Sequence, residues 1–372
     1  MLETMKRKIF KNIEWGILIC VILLITVGII ALYSATQETS KEELQKQIMW
    51  LIISIPVVIL ITCINYEVIA KISPIFYGIF LILLVGVLFT EPVNGATSWF
   101  NIGAFSFQPS EFAKIFVILV FSLVITKIQE RGREEISRPT RLMLALLVVA
   151  VPVLLIIKQP DYGTALAFLV ATVFILFTAG IKKRYIITAI LIVVIVAPLL
   201  YFFILPEHAK TRIDVFLNPN LDPRGAGYNI IQSKLAIGSG QLFGMGLLKG
   251  NQTQLGFLYP KTTDFIFSVI GEEMGFVVTA GIVIIYVILI TKAIFVAKTA
   301  KDDLGSYIAM GIAGIFLFHM VENIGMTIGL LPITGVPLPF VSYGGSSLLT
   351  NLILIALLLN ISGRRQKAIF IE

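Results

Sequence analysis

Ionisable side chains are in short supply in this sequence. Only 14% of its 372 residues are charged, against 57% that are hydrophobic; a soluble domain is nearer a quarter charged and half apolar. The shortage excludes an ordinary water-soluble fold and fits helices whose outer faces meet lipid. Cysteine is nearly absent. Of the two present, Cys20 lies inside an apolar run and Cys63 near the end of another, on what we read as the cytoplasmic side, so neither looks like half of a disulfide or a metal site. The two histidines, His208 and His319, are too few and too scattered for a metal cluster. There is no internal repeat and no low-complexity tract, so a single membrane domain over 1–372 is the simplest organisation.

What is abundant is long apolar runs. A span needs about 20 apolar residues, and runs fall near 15–35, 48–64, 75–90, 110–127, 142–158, 163–180, 186–204, 265–291, 306–331 and 346–361. The fold class expected is therefore an all-α polytopic membrane protein of about ten transmembrane helices. The first run is longer than a signal-peptide core and lacks a small-residue cleavage site, so it reads as a retained helix.

Orientation follows the bias of Lys and Arg toward cytoplasmic loops. With the N-terminus inside, the inner segments hold Lys6, Arg7, Lys8 and Lys11; Lys71; Lys127, Arg131, Arg133, Arg138 and Arg141; Lys182, Lys183 and Arg184; Lys292, Lys298 and Lys301; and Arg364, Arg365 and Lys367. Both termini are then cytoplasmic, as tails 1–14 and 362–372. The net charge of +7 is explained without any nucleic acid. A long extracytoplasmic loop, 205–263, joins helices 7 and 8, with turn signals at Asn218-Pro219 and Asp222-Pro223. Long ordered loops are usually functional.

This topology starts every even-numbered helix at the outer face, and four start with polar motifs. Helix 4 opens with Gln108-Pro109-Ser110-Glu111, helix 6 follows Gln159-Pro160-Asp161, helix 8 opens with Thr262-Thr263-Asp264, and helix 10 follows Ser342-Tyr343-Gly344-Gly345-Ser346. Helix N-termini carry free N–H groups and partial positive charge, which suit a phosphate or diphosphate. Gly344 and Gly345 would let the backbone approach such a group closely. Plain capping explains any one motif; four together favour a site.

Charges within spans are costly and tend to be paired or functional. Glu111 and Lys114 share a helix face, either as a mutual ion pair or with Lys114 holding a diphosphate that Glu111 tunes. Glu272 and Glu273 fall about 12 Å along the helix from Asp264, one of them in a structural hydrogen-bonding role. Glu322 and His319, one turn apart, read as near the middle of helix 9. Trp99 is an interfacial anchor, a loop lock or a platform for a sugar. Asp264 stands where the long loop enters the membrane. A partly desolvated carboxylate there is suited to general-base work.

Read together, these motifs resemble those of the SEDS family (shape, elongation, division and sporulation), the bacterial RodA and FtsW proteins with SpoVE. The similarity runs through Asn94-Gly95-Ala96 with Trp99; Phe107 to Lys114; Gln159-Pro160-Asp161 with Gly163-Thr164-Ala165; Gly227-Tyr228-Asn229 with Gln232-Ser233-Lys234; Ala236 to Gly240; Thr263 to Phe267 with Gly271-Glu272-Glu273; and Pro337 to Gly345. Asn251-Gln252-Thr253-Gln254-Leu255 and Phe216-Leu217-Asn218-Pro219 favour the RodA branch. Where the family often has Leu-Pro-Glu before its Thr-Asp pair, this chain has Tyr259-Pro260-Lys261-Thr262, so no role is carried over for that glutamate.

The resemblance implies a peptidoglycan glycosyltransferase of the bacterial cytoplasmic membrane that polymerises lipid II at the outer face, for cell elongation and shape. It also implies a class B penicillin-binding protein as partner, among other elongation-complex membrane proteins. The family's essential aspartate matches Asp264, the expected catalytic base. Trp99, Glu111, Lys114 and Asp161 are carried over as substrate-binding, and Ser342, Gly344 and Gly345 join them from the helix-start reading. Arg212 and Arg224 are further diphosphate candidates, though a solvated loop charge explains each. No cofactor is expected, and no ligand set for a metal is visible, although a divalent ion would suit the leaving group. The rivals are a lipid II flippase, a division or sporulation paralogue, and a membrane scaffold.

Overall fold

The computed structural model describes residues 12–37, 41–92, 96–102, 105–203, 207–223 and 225–365. The helices are α1 (Trp15–Ala35), α2 (Glu42–Cys63), α3 (Tyr66–Gly86), α4 (Pro109–Gln129), α5 (Pro139–Lys158), α6 (Tyr162–Thr178) and α7 (Lys183–Phe203). After these come α8 (Glu207–Leu217), α9 (Ala226–Ser239), α10 (Ile266–Lys298), α11 (Asp303–Thr327) and α12 (Gly345–Gly363). Eight of them are long and apolar enough to cross a membrane, and α4 and the shorter α6 complete ten. The chain is a polytopic helical membrane protein, as the apolar runs predict. A two-stranded hairpin, β1 (Phe100–Ile102) and β2 (Phe105–Phe107), leads into α4, with Phe100 paired to Phe107.

The helices with the most polar side chains sit in the middle. α4, α11 and α12 bury Glu111, Lys114, His319, Glu322, Asn323, Thr350 and Asn351. Lipid cannot satisfy such groups, so these helices turn them toward one another. The apolar α2, α3 and α7 line the outside, with residues such as Ile52, Ile82 and Ile195 open to lipid.

One end of the bundle carries the basic residues assigned to the cytoplasm. Glu14 pairs there with Lys292 at 2.7 Å and Arg365 at 3.4 Å, and Lys301 pairs with Glu67 at 3.0 Å. Arg364 donates to the Cys63 carbonyl at 3.0 Å. Glu14 and Arg365 meet directly, so the first and last described segments lie on the same side of the bundle. The tail residues 1–11 and 366–372 lie outside the described residues.

Three expectations need correction. The third helix does not begin at 75. It starts at Tyr66, capped by the Asn65 side chain, which accepts from the Glu67 N–H at 3.2 Å. Pro74 sits inside it, and the Ala70 carbonyl that loses its N–H partner there accepts from the Ser73 hydroxyl at 2.7 Å. The loop 205–263 is substantially helical, through α8 and α9. Glu322 is not at mid-depth. It lies five residues from the outer end of α11, about 8 Å along the axis.

The eighth helix is broken. Gly275 has φ +78° and ψ −176°, a conformation that is essentially restricted to glycine. The break frees backbone groups on both sides, and the loop after α9 takes them up. Phe276 and Val277 donate N–H to the carbonyls of Gln241 and Leu242 at 2.8 and 3.1 Å; Met245 and Gly246 donate to those of Glu272 and Glu273 at 2.9 and 3.0 Å. Helix and loop are spliced through four backbone hydrogen bonds. A Cβ at Gly275 would lie 2.2 Å from the Gly244 nitrogen. Gly275→Ala therefore lowers stability by about 3 kcal/mol or more, read as a drop in melting temperature of the purified protein.

The splice also gives Glu272 and Glu273 their work. Glu272 accepts from the N–H groups of Gln252 and Thr253 and from the Thr253 hydroxyl, all within 2.9 Å, and Glu273 accepts from the Gln254 amide at 2.8 Å. Both carboxylates hold the loop, and both precede the segment from Phe276 onward that does the spanning.

Candidate functional site

The four outer helix starts are tied into one cluster. Gln108, before α4, donates its amide to Asp161 Oδ2 at 3.1 Å, and Asp161 caps α6 by accepting from the Thr164 N–H at 3.1 Å. Ser346, in α12, donates to the Ser106 carbonyl in β2 at 3.4 Å. Ser342 donates to the Thr263 carbonyl at 2.7 Å, and Tyr343 N–H donates to the Thr262 carbonyl at 2.9 Å. Of these starts only Asp161 makes a side-chain cap. The other polar residues bridge between segments, so capping does not account for the pattern.

Asp264 lies at the start of α10, against the segment 332–340. A Cβ on Gly335 would stand 3.5 Å from its Oδ2. Burial pushes its carboxyl up from the ordinary 3.8 to about 6, opposed by a hydrogen bond from Thr263 and by the charge of Arg212. Arg212, on α8 and partly buried, lies within electrostatic range of the aspartate. Arg224 lies outside the described residues, as do Asn94 and Gly95. Asp161 is also raised by burial, against the hydrogen bond from Thr164.

One face of α11 holds the segment under Asp264. His319, Glu322 and Asn323 have the i, i+3, i+4 spacing of a single stripe. His319 Nδ1 donates to the Pro337 carbonyl at 3.1 Å, Glu322 accepts from the Thr334 hydroxyl at 2.8 Å, and Asn323 Nδ2 donates to the Val336 carbonyl at 2.9 Å. The Asn323 amide also donates to the Asp264 carbonyl at 3.1 Å. Sequence reasoning missed Asn323, and the only signal was its spacing from His319 and Glu322. Asn323→Leu leaves two carbonyls without their donor, at about 1–3 kcal/mol each. The expected result is a lowered melting temperature together with weakened activity, measured on one preparation.

Glu111 and Lys114 form an ion pair at 2.7 Å with 3% and 1% of their side chains exposed, and Thr350 donates to the same carboxylate oxygen at 3.0 Å. His319 lies within electrostatic range of both. The pair thus connects, through α11, with the segment beneath Asp264. Ser110 Oγ is buried beside it with no hydrogen-bond partner among the described residues.

The glycines before α12 are otherwise occupied. Gly344 N–H donates to Gln47 Oε1 at 3.1 Å, and a Cβ at Gly345 would strike the Trp50 indole at 2.1 Å. Their lack of a side chain serves packing against α2. Ser342, besides its bond to Thr263, accepts from the Leu338 N–H at 2.9 Å and so shapes the segment. Trp99 is half-buried next to Ser98, which donates to the Gln159 carbonyl at 3.5 Å.

Known proteins match this architecture over nearly its whole length. The cell cycle protein family FTSW_RODA_SPOVE matches residues 14–367. Peptidoglycan glycosyltransferase MrdB of Escherichia coli (strain K12) is 41% identical over 280 residues, 74% of each chain. Among solved structures, one described as "Structural coordination of polymerization and crosslinking by a peptidoglycan synthase complex" superposes with a TM-score of 0.81 at 28% identity, covering 94% of this chain and 97% of that one. Thermus thermophilus rod shape determining protein RodA superposes with a TM-score of 0.71 at 27% identity, over 95% and 98%.

Proposed function

This chain belongs to the cell cycle protein family of FtsW, RodA and SpoVE, and on that premise we propose that it extends glycan strands from lipid II with Asp264 as the base. It is a multi-pass membrane protein and a peptidoglycan glycosyltransferase. The finer reading places it in the bacterial cytoplasmic membrane, with its site on the outer face.

The reaction joins the acceptor's GlcNAc 4-hydroxyl to C1 of a MurNAc carried on undecaprenyl diphosphate. The C1–O bond to the diphosphate breaks with inversion as the new β-1,4 bond forms. Asp264 takes the hydroxyl proton, and the diphosphate leaves with the bonding electrons. Such a step needs a base on one side and cationic stabilisation on the other. The observation that carries the assignment is the place of Asp264: a desolvated carboxylate, within electrostatic range of Arg212, at the junction of four tied helix starts. Lys114 and the uncapped start of α4 are the groups we assign to the diphosphate side. Asp161, Glu111 and Ser342 shape that side, and Trp99 stands at its rim.

A class B penicillin-binding protein is the partner we propose, supported by the likeness to a complex that couples polymerisation to crosslinking. The RodA-like loop motifs support a role in elongation, alongside other membrane proteins of that machinery. The flippase reading rested on Glu322 and His319 at mid-depth. Glu322 lies near the outer end of α11 and both side chains grip a loop, which weakens that support. The test is extension of fluorescent lipid II by the purified protein with its partner. Wild-type-like strand formation by Asp264→Asn would end the assignment.

A further inference from the structure

The loop that splices into the broken helix carries an apolar tip that none of the described residues covers. Phe243 is 81% exposed and Leu242 59%; Leu247 and Leu248 are also open to the surroundings. Beyond the splice the same surface continues onto α10, where Phe276 is 63% and Val277 55% exposed. Exposed apolar patches of this kind mark contacts with lipid or protein.

We infer that residues 242–248 form a wedge at the outer edge of the membrane, whose apolar side chains are seated in the outer leaflet and not in water. Three observations carry it. The first is depth. From Phe276 to Lys298 the helix rises about 33 Å, against about 30 Å for the hydrocarbon core. With Lys298 at the cytoplasmic end, Phe276 stands at the outer edge of the core. The backbone bonds from Phe276 and Val277 to Gln241 and Leu242 fix the wedge at that level.

The second is backbone satisfaction. Non-helical chain enters lipid only if its polar groups are paired. Gly244, Met245 and Gly246 donate N–H to the carbonyls of Gly240, Glu272 and Glu273, and Lys249 donates to that of Gly246. Among the described residues the peptide N–H groups of Leu242, Phe243, Leu247 and Leu248 have no partner, so the wedge sits at the headgroup edge of the leaflet, where those groups meet water while the side chains enter lipid. The third is continuity. The wedge runs directly into a lipid-facing flank of α10 that goes on through Ile284 and Val287. Lys249, exposed at the end of the wedge, is placed to meet lipid phosphates.

Seating the wedge anchors the loop whose Gln252 and Thr253 hold Glu272, and through that half-helix it sets the height of Asp264 above the leaflet. Spin labels test the seating. Phe243→Cys and Leu248→Cys are labelled one at a time in a Cys20→Ala, Cys63→Ala background. The protein is reconstituted in phosphatidylethanolamine–phosphatidylglycerol vesicles and collisions with oxygen and with a nickel chelate are recorded. Ile284→Cys supplies the lipid reference and Glu130→Cys the aqueous one. The expected result at both wedge positions is an oxygen-to-nickel accessibility ratio several-fold above that of Glu130→Cys and close to that of Ile284→Cys. High nickel accessibility would place the loop in water and overturn the inference. Low accessibility to both reagents would show protein cover, from a second copy, and overturn it equally.

Discussion

Asp264→Asn abolishes strand synthesis and yet yields a protein that melts no lower than wild type. The first half follows from the chemistry. Asparagine cannot accept the hydroxyl proton, and a positioned general base contributes about 10²–10⁴ in rate. The second half follows from linkage. Folding raises the Asp264 carboxyl from 3.8 to about 6, so the folded state holds its proton more tightly than the unfolded chain. Stability from this group is greatest below pH 4 and falls as pH rises through about 6. At neutral pH the ionised form costs at most about 3 kcal/mol. Asparagine never ionises, so the variant is spared that cost. The same position sets the activity profile of the wild type. Rate rises as the carboxyl loses its proton and levels off above about pH 6. Polymerisation of labelled lipid II across pH, with melting curves on the same samples, reads both. A variant that is inactive because it is unfolded would show the opposite thermal behaviour.

Hydropathy made the ten helices legible, and Lys and Arg placed their ends, because lipid leaves a helix few alternatives. Tyr66 was misplaced as a loop residue because Pro74, Lys71 and Glu67 look like a boundary, whereas packing keeps them helical. The break at Gly275 was hidden in a run long enough to read as one helix, although Glu272 and Glu273 stand just before it. Its trace was indirect: Gly244 and Gly246 at matching positive φ in the loop that repairs it. Asp264, Glu111 and Lys114 stood out because charge near a span is rare. Asn323 did not, because its partners are main-chain carbonyls of Asp264 and Val336, which no side-chain pattern announces. Arg212 was undervalued for a related reason, since the fold of α8 alone brings it toward Asp264. Gly344 and Gly345 invited a phosphate, but Gln47 and Trp50 of α2 answer for them in this structure.

Lys114→Met unfolds the protein or lowers its stability by about 3–5 kcal/mol, the range for breaking a buried ion pair from one side. Glu111 would keep its charge with only Thr350 and the distant His319 to answer it. That result alone does not separate a structural cation from one that serves the diphosphate. The double variant Glu111→Gln, Lys114→Met does. It removes both charges, and the glutamine carbonyl still accepts from the Thr350 hydroxyl. Replacing a buried pair with neutral groups of similar size is often nearly neutral for stability, so the double variant recovers most of the melting temperature. If Lys114 supplies charge to the leaving group, strand synthesis stays low in the folded double variant. If the pair only props α4 against α12, activity returns with stability. We expect the first outcome. Lys114 sits one turn inside a helix whose N-terminus is among the tied starts, beside the Ser110 hydroxyl, which has no partner among the described residues. A propping role gives no reason for a lysine there, because an apolar side chain of the same length would pack as well.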